Sequence, residues 1–170
     1  MNKQTLERRW DLFRQQYGIY LRLLESLPED ALQDHVVPGM RTPAQLIAHT
    51  SGSIVREFAR GVASGEIRHS EDESATAAGL SSRAEALAYA RRCWDDANAA
   101  MSGVGDAELA ATVKTPWNMT FPGTAVVNMM SDEFLHHRGQ LYVYARAAGA
   151  EPPFLWSFDK NASEFAPKRA

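Results

Sequence analysis

Apolar residues recur along the first part of the chain at Leu6, Trp10, Phe13, Tyr17, Leu21 and Leu24. Steps of three and four keep side chains on one face of an α-helix, so this spacing predicts a helix from about Thr5 to Ser26. Leu27-Pro28-Glu29-Asp30 ends it, and Pro38-Gly39 favours a turn. Thr42-Pro43-Ala44-Gln45 then combines an N-cap hydroxyl, a proline at the first helical position and a glutamine able to reach back as a capping box. A second helix starts there and carries Leu46, Ile47, Ile54 and Phe58 before fading into Gly61 and Ser64-Gly65. From Glu66 to Gly79 the chain is polar, small and acidic without an apolar period, which predicts a long loop. Ser82 and Glu85 form another capping box, opening a third helix with Leu87, Trp94, Ala97 and Met101 on its inner face and Ser102-Gly103 as its stop. Between Asp106 and Gly123, Val113, Trp117, Met119 and Phe121 alternate with polar residues around Pro116 and Asn118, the pattern of an extended or hairpin-like excursion. A fourth helix is expected from about Thr124 to Ala148, closed by Gly149 and then Pro152-Pro153. Phe154, Leu155, Trp156 and Phe158 follow as an apolar tail expected to pack back on the helices.

Four amphipathic segments with no sustained strand predict an all-α antiparallel four-helix bundle, formed by residues 1–170 as one domain. At 170 residues such a chain can bury roughly 70% of the surface it exposes when unfolded, so a full core needs no staples. An apolar fraction of 45% beside 23% charged residues argues against disorder. The net charge is −3 with basic residues scattered, which excludes the footprint of a nucleic-acid binder. Cys93 is alone, so no intramolecular disulfide forms, and its place in a helical pattern reads as a buried thiol. Charges fill Met1 to Leu24, and no stretch approaches the ~18 apolar residues of a membrane span. A cytoplasmic protein is expected.

The candidate chemistry sits on the fourth helix. Its stripe Val126, Met130, Glu133, His137, Leu141, Tyr144 and Ala148 places a carboxylate and an imidazole amid apolar neighbours. A buried carboxylate demands a counter-charge or a metal, and at i, i+4 Glu133 and His137 can converge on one point. His49 on the second helix supplies a third group if the two helices are neighbours, with Ser53 and Arg56 forming a polar strip beside it. Two histidines and one carboxylate leave positions open for water or substrate, the pattern of catalytic zinc, and the same set accepts nickel, iron or manganese. His136 points about 100° away from His137 and reads as lying beside the metal or at the surface. Glu133-x-x-His136 with Glu66-x-x-His69 would resemble halves of a di-iron site, but the further glutamates such a site needs do not occur at core positions. Trp117 and Tyr142 read as core or as aromatic walls of a metal pocket. No Gly-rich phosphate loop, Gly-x-Ser-x-Gly turn or His-Glu-x-x-His helix is present in the sequence.

Thr42-Pro43-Ala44-Gln45-Leu46-Ile47-Ala48-His49, followed by His136-His137-Arg138-Gly139-Gln140 and by Gly149-Ala150-Glu151-Pro152-Pro153, resembles the DinB-like superfamily of damage-inducible and YfiT-type proteins. The resemblance implies a four-helix bundle, often a homodimer, with a metal triad of one histidine from helix two and two from helix four. Carried over, the positions are His49, Glu133 and His137, with Glu133 standing where a histidine is usual. The family's mycothiol-dependent maleylpyruvate isomerases look like this same variant. The resemblance therefore implies a divalent metal ion, zinc first, and an enzyme acting on small molecules as a thiol S-transferase, thiol-dependent isomerase or hydrolase, with a low-molecular-weight thiol as cofactor. Arg56 would hold a substrate anion in that reading, or serve as an exposed salt-bridging residue. The competing expectation is a metal-binding or stress-response bundle without turnover.

Overall fold

The computed structural model describes residues 1–168. The chain is mostly helical, and each long helix forms where its apolar period predicts. Helix α1 spans Lys3–Ser26, and the Asn2 side chain caps it by accepting from the Thr5 amide at 3.0 Å. A second helical stretch runs from Pro43 to Ser64 in three parts: α2, Pro43–Ile47; a π-helical segment, Ala48–Arg56; and α3, Glu57–Ser64. Its capping box is complete, with the Gln45 amide donating to Thr42 Oγ1 at 3.2 Å and the Thr42 amide to Gln45 Oε1 at 2.9 Å. Helix α5, Arg83–Ser102, opens with the corresponding Ser82–Glu85 box. Helix α7, Gly123–Ala147, ends in a Schellman turn: Ala150 donates to the Ala145 carbonyl and Gly149 to that of Arg146, with Gly149 at φ 80°, a conformation that only glycine adopts at little cost.

Helix α1 packs on α5 and α7, and the Pro43–Ser64 stretch packs on the same two helices. The core between them is aromatic on the α1 side. Trp10 stacks on Phe13 and on Trp94, each pair with centroids 5.2 Å apart, and Phe134 of α7 meets Phe13 at 4.8 Å and Tyr20 edge-on at 5.5 Å. Between α5 and α7, the short helix α6, Asp106–Ala110, leads into an antiparallel hairpin of β1, Thr112–Lys114, and β2, Thr120–Pro122. The hairpin is the extended excursion that the alternation of Val113 and Phe121 predicts; α6, only five residues long, leaves too few positions to show a helical period.

Three expectations are corrected. The stretch from Glu66 to Gly79 is not a structureless loop: Ile67 bonds the Lys114 carbonyl beside the hairpin, and Glu73–Gly79 forms helix α4, capped by Asp72 and seated on α2 and the π segment. Only Ala77 of α4 is buried, so the helix has no apolar period and polar contacts hold it in place. The tail is not an apolar strap, because Phe154 and Trp156 remain 70% and 67% exposed. The return to the body is made by a 3₁₀ turn at Phe158–Lys160, by Asn161, which donates to the Gln15 carbonyl at 2.9 Å, and by buried Phe165 edge-on to Trp94. Glu133 is not within the apolar face of α7 either. Its side chain is half exposed, and Phe134 takes the buried position of that turn. Among the described residues no helix is long and apolar enough to cross a membrane.

Candidate functional site

The π segment carries His49, Ser53 and Arg56, and α7 faces it with His137. Wider π winding is uncommon and tends to occur where a helix serves a site. Here the winding accompanies a close approach: a Cβ on Gly52 would lie 2.1 Å from the Tyr89 hydroxyl oxygen, so only glycine admits Tyr89 of α5 to the segment.

The rings of His49 and His137 lie 4.8 Å apart and nearly perpendicular. Each has its Nδ1 engaged. His49 Nδ1 is 2.8 Å from Glu73 Oε2, which also accepts from Ser53 Oγ at 2.6 Å. His137 Nδ1 is 2.9 Å from Gln140 Oε1, while the Gln140 amide nitrogen donates to His136 Nε2 at 3.1 Å. A carboxylate and an amide oxygen only accept, so both Nδ1 atoms carry hydrogen. His137 Nε2 in turn faces Glu133 Oε2 at 3.3 Å. Burial lowers the His137 pKa, the Gln140 bond opposing it, which favours the neutral ring. Two acceptors then confront one another at 3.3 Å, an arrangement that a proton or a cation between them relieves. The Glu73 carboxyl is held down at about 2, first by the hydrogen bond from His49, then against burial by that from Ser53.

Below this cluster lies a second polar knot. Arg56 is 5% exposed, so it is neither a surface salt-bridging residue nor free to meet a ligand in this conformation. Its Nε bonds buried Glu57 at 2.8 Å and its Nη1 bonds Glu71 at 2.7 Å, with Tyr89 donating to the same Glu71 carboxylate at 3.2 Å. Ser70 donates to Glu57 at 2.6 Å. The space enclosed by Ser53, Arg56, His69 and Glu71 is only about 10 Å³, room for no more than one water. Buried Cys93 lies 3.7 Å from Arg56, and burial pushes its thiol up to about 11, so it is not a ready nucleophile at neutral pH.

Among the described residues no three His, Cys, Asp or Glu side chains already surround one metal-sized position. The chemistry of the donors nonetheless suits a divalent ion: two imidazoles whose Nδ1 atoms are engaged by outer partners, leaving Nε2 to coordinate, and the Glu133 carboxylate. Trp117 and Tyr142 are not brought to this cluster. Trp117 is 44% exposed and tilts against Phe58 of α3, and the Tyr142 hydroxyl donates to the Pro153 carbonyl beyond the end of α7. Glu66 pairs with Arg68 and His69 lines the Arg56 knot, so neither joins Glu133 and His136. Sequence reasoning missed Glu73, which gave no signal beyond an acidic run, and Gln140, whose position three residues after His137 on a helix was a signal.

No curated protein matches the chain in sequence. Among solved structures, a DinB-like protein from Bacillus subtilis shares 18% identity and superposes with a TM-score of 0.67 over 84% of this chain and 94% of that one. A DinB-like protein from Bacillus cereus shares 18% with a TM-score of 0.69 over 90% and 97%. A mycothiol-dependent maleylpyruvate isomerase shares 19% with a TM-score of 0.62 over 94% of this chain, which spans 65% of that enzyme's length. At such identities the likeness is one of fold. The family model of the DinB superfamily matches residues 12–141, most of the helical body including His49, Glu133 and His137, and the chain belongs to the DinB superfamily.

Proposed function

We propose that the chain is a metal-dependent enzyme acting on small molecules, by thiol transfer, thiol-dependent isomerisation or hydrolysis, with His49, Glu133 and His137 holding one divalent ion. The carrying observation is the 3.3 Å approach of His137 Nε2 to Glu133 Oε2 while both histidines have their Nδ1 atoms tied to acceptors. Glu73 engages Nδ1 of His49 and Gln140 that of His137, which leaves Nε2 of each ring as the atom that would coordinate. An ion bound there would supply a Lewis acid that lowers the pKa of a thiol or water and makes it a nucleophile at neutral pH. Ser53 keeps Glu73 in place, and half-exposed Glu133 leaves the outer side of the site open to a substrate. Zinc suits two imidazoles and a carboxylate; nickel, iron and manganese remain alternatives for the same donors. The similarity in fold to a mycothiol-dependent isomerase supports a low-molecular-weight thiol as the co-substrate. In the same reading α1, the Pro43–Ser64 stretch, α5 and α7 are the four members of an antiparallel bundle, a single domain that pairs as a homodimer in the cytoplasm.

A second reading, a metal-binding or stress-response bundle without turnover, is favoured by one feature: the space beside Glu73 and Arg56 is filled by the chain's own acidic segment. Elemental analysis of protein purified without chelator, in parallel with His49→Ala, Glu133→Ala and His137→Ala, tests the site. Near one divalent ion per chain, lost in all three variants, is expected. No metal in the wild type after soaking with zinc would overturn the reading. Metal with no activity on any thiol-conjugated or hydrolysable substrate would favour the second one.

A further inference from the structure

Leu135, Arg138, Tyr142 and Arg146 follow one another at steps of three and four along α7, and the chain after the Schellman turn folds back beside them. Between the two runs lies an open cavity of about 670 Å³, a volume suited to a small organic ligand. Its apolar wall is Leu135 with Pro152, Pro153, Phe154 and Leu155. Its polar side chains are Arg138, Arg146, Tyr142 and Glu151. Arg138 lies over the Phe134 ring with its Cζ 5.8 Å from the centroid, and its Nη1 is buried without a hydrogen-bond partner among the described residues. Arg146 stands 5.9 Å from the Tyr142 ring. The Tyr142 hydroxyl, raised in pKa by its burial, feels the opposing pull of Arg138, Arg22 and Arg146 together. Among the described residues none of these three arginines forms an ion pair, and Glu151 at the rim is the one acid lining the cavity.

A buried guanidinium nitrogen without an acceptor is costly. Arg83 Nε shares that state, but the Arg83 guanidinium also donates to the Glu25 carbonyl at 3.2 Å and meets Glu29 at 4.0 Å, whereas among the described residues the Arg138 guanidinium has no acceptor at all. In a chain of net charge −3, unpaired arginines gathered around one apolar cavity make a complement for an anion. We propose that this cavity binds a small organic carboxylate with an apolar body, its carboxylate on Arg138, its hydrocarbon against Pro153, Phe154 and Leu155, and Arg146, about two helical turns along, adding to the positive field. A second copy of the chain is a poorer occupant, because a two-fold contact centred here would set arginines against arginines. The cavity is separate from the His49–His137 cluster, and the proposal stands or falls without it.

Calorimetric titration with octanoate, 1-octanol and sulfate separates charge from apolar contact. Octanoate should bind one per chain, with octanol and sulfate each at least about tenfold weaker. Arg138→Gln should weaken octanoate by about tenfold and Arg146→Gln by several-fold. Phe154→Ala, whose side chain is exposed and so carries little of the fold, should weaken it several-fold. Octanol binding as tightly as octanoate, octanoate binding unchanged in Arg146→Gln and Phe154→Ala, or no octanoate binding to the wild type would each overturn the proposal.

Discussion

A neutral histidine's lone pair and a carboxylate oxygen 3.3 Å apart need something positive between them, and at His137 the neighbours put the ring hydrogen on Nδ1, so that Nε2 faces Glu133. Gln140 takes the Nδ1 hydrogen of His137 as Glu73 takes that of His49. Removing either acceptor frees the ring to turn. Glu73→Gln and Gln140→Leu are each expected to weaken zinc affinity by about 10–100-fold in competition with a chelating dye. Unchanged affinity in both would mean that these contacts do not orient the rings. The adjacent pair Glu133 and Phe134 separates chemistry from stability. Phe134 is fully buried against Phe13, Tyr17 and Tyr20, so Phe134→Ala should cost about 3–5 kcal/mol in urea unfolding. Glu133→Ala removes a half-exposed side chain, and in metal-free protein should change stability by no more than about 0.5 kcal/mol. A large loss from Glu133→Ala would restore the buried-carboxylate reading that its place in the apolar spacing suggested.

At the scale of elements, the π segment and the acidic stretch that ends in α4 are joined by polar contacts more than by apolar ones. Glu71 holds Arg56 from outside and Glu73 holds His49 and Ser53. The Glu71 carboxyl is drawn below 4.5 chiefly by its hydrogen bond to Arg56. A depressed folded-state pKa contributes stability that is fully present above the unfolded value and is lost as pH falls through the lower, folded one. The urea midpoint of the wild type should therefore drop more steeply below pH 4.5 than that of Glu71→Gln. Glu71 is 40% exposed, so solvent screens part of the effect, and parallel pH profiles for the two proteins would show that the pair contributes nothing. The caps behave differently. Thr42 with Gln45 and Ser82 with Glu85 are local devices, and they form wherever their four residues occur at a helix start.

For the whole molecule, the consequence of the proposed site is a tie between the π segment and α7, two parts of the chain far apart in sequence. An ion that binds the folded chain and not the unfolded one stabilises it by mass action. Free zinc at a hundred times its dissociation constant should raise the melting temperature by roughly 5–10 °C. The same zinc should leave His49→Ala and His137→Ala unmoved. A shift that survives in both variants would locate the ion elsewhere.

The sequence by itself determined where the long helices begin and end, because apolar spacing, capping boxes and the glycine after α7 act within a few residues. It also determined that Glu133 and His137 share a helical turn, since that follows from a spacing of four. The hairpin was legible in alternation for the same reason. Which side of a helix is covered is not a local property. Phe134 rather than Glu133 faces inward because α1 presents Phe13, Tyr17 and Tyr20 there, and Arg56 is enclosed because Glu57, Glu71 and Tyr89 close around it. The meeting of Glu73 with His49, the close approach of Tyr89 to Gly52 and the unpaired Arg138 beside the proline pair were decided by tertiary structure alone. Each depends on segments brought together across the fold, where charge and shape are matched between elements and leave no period along the chain.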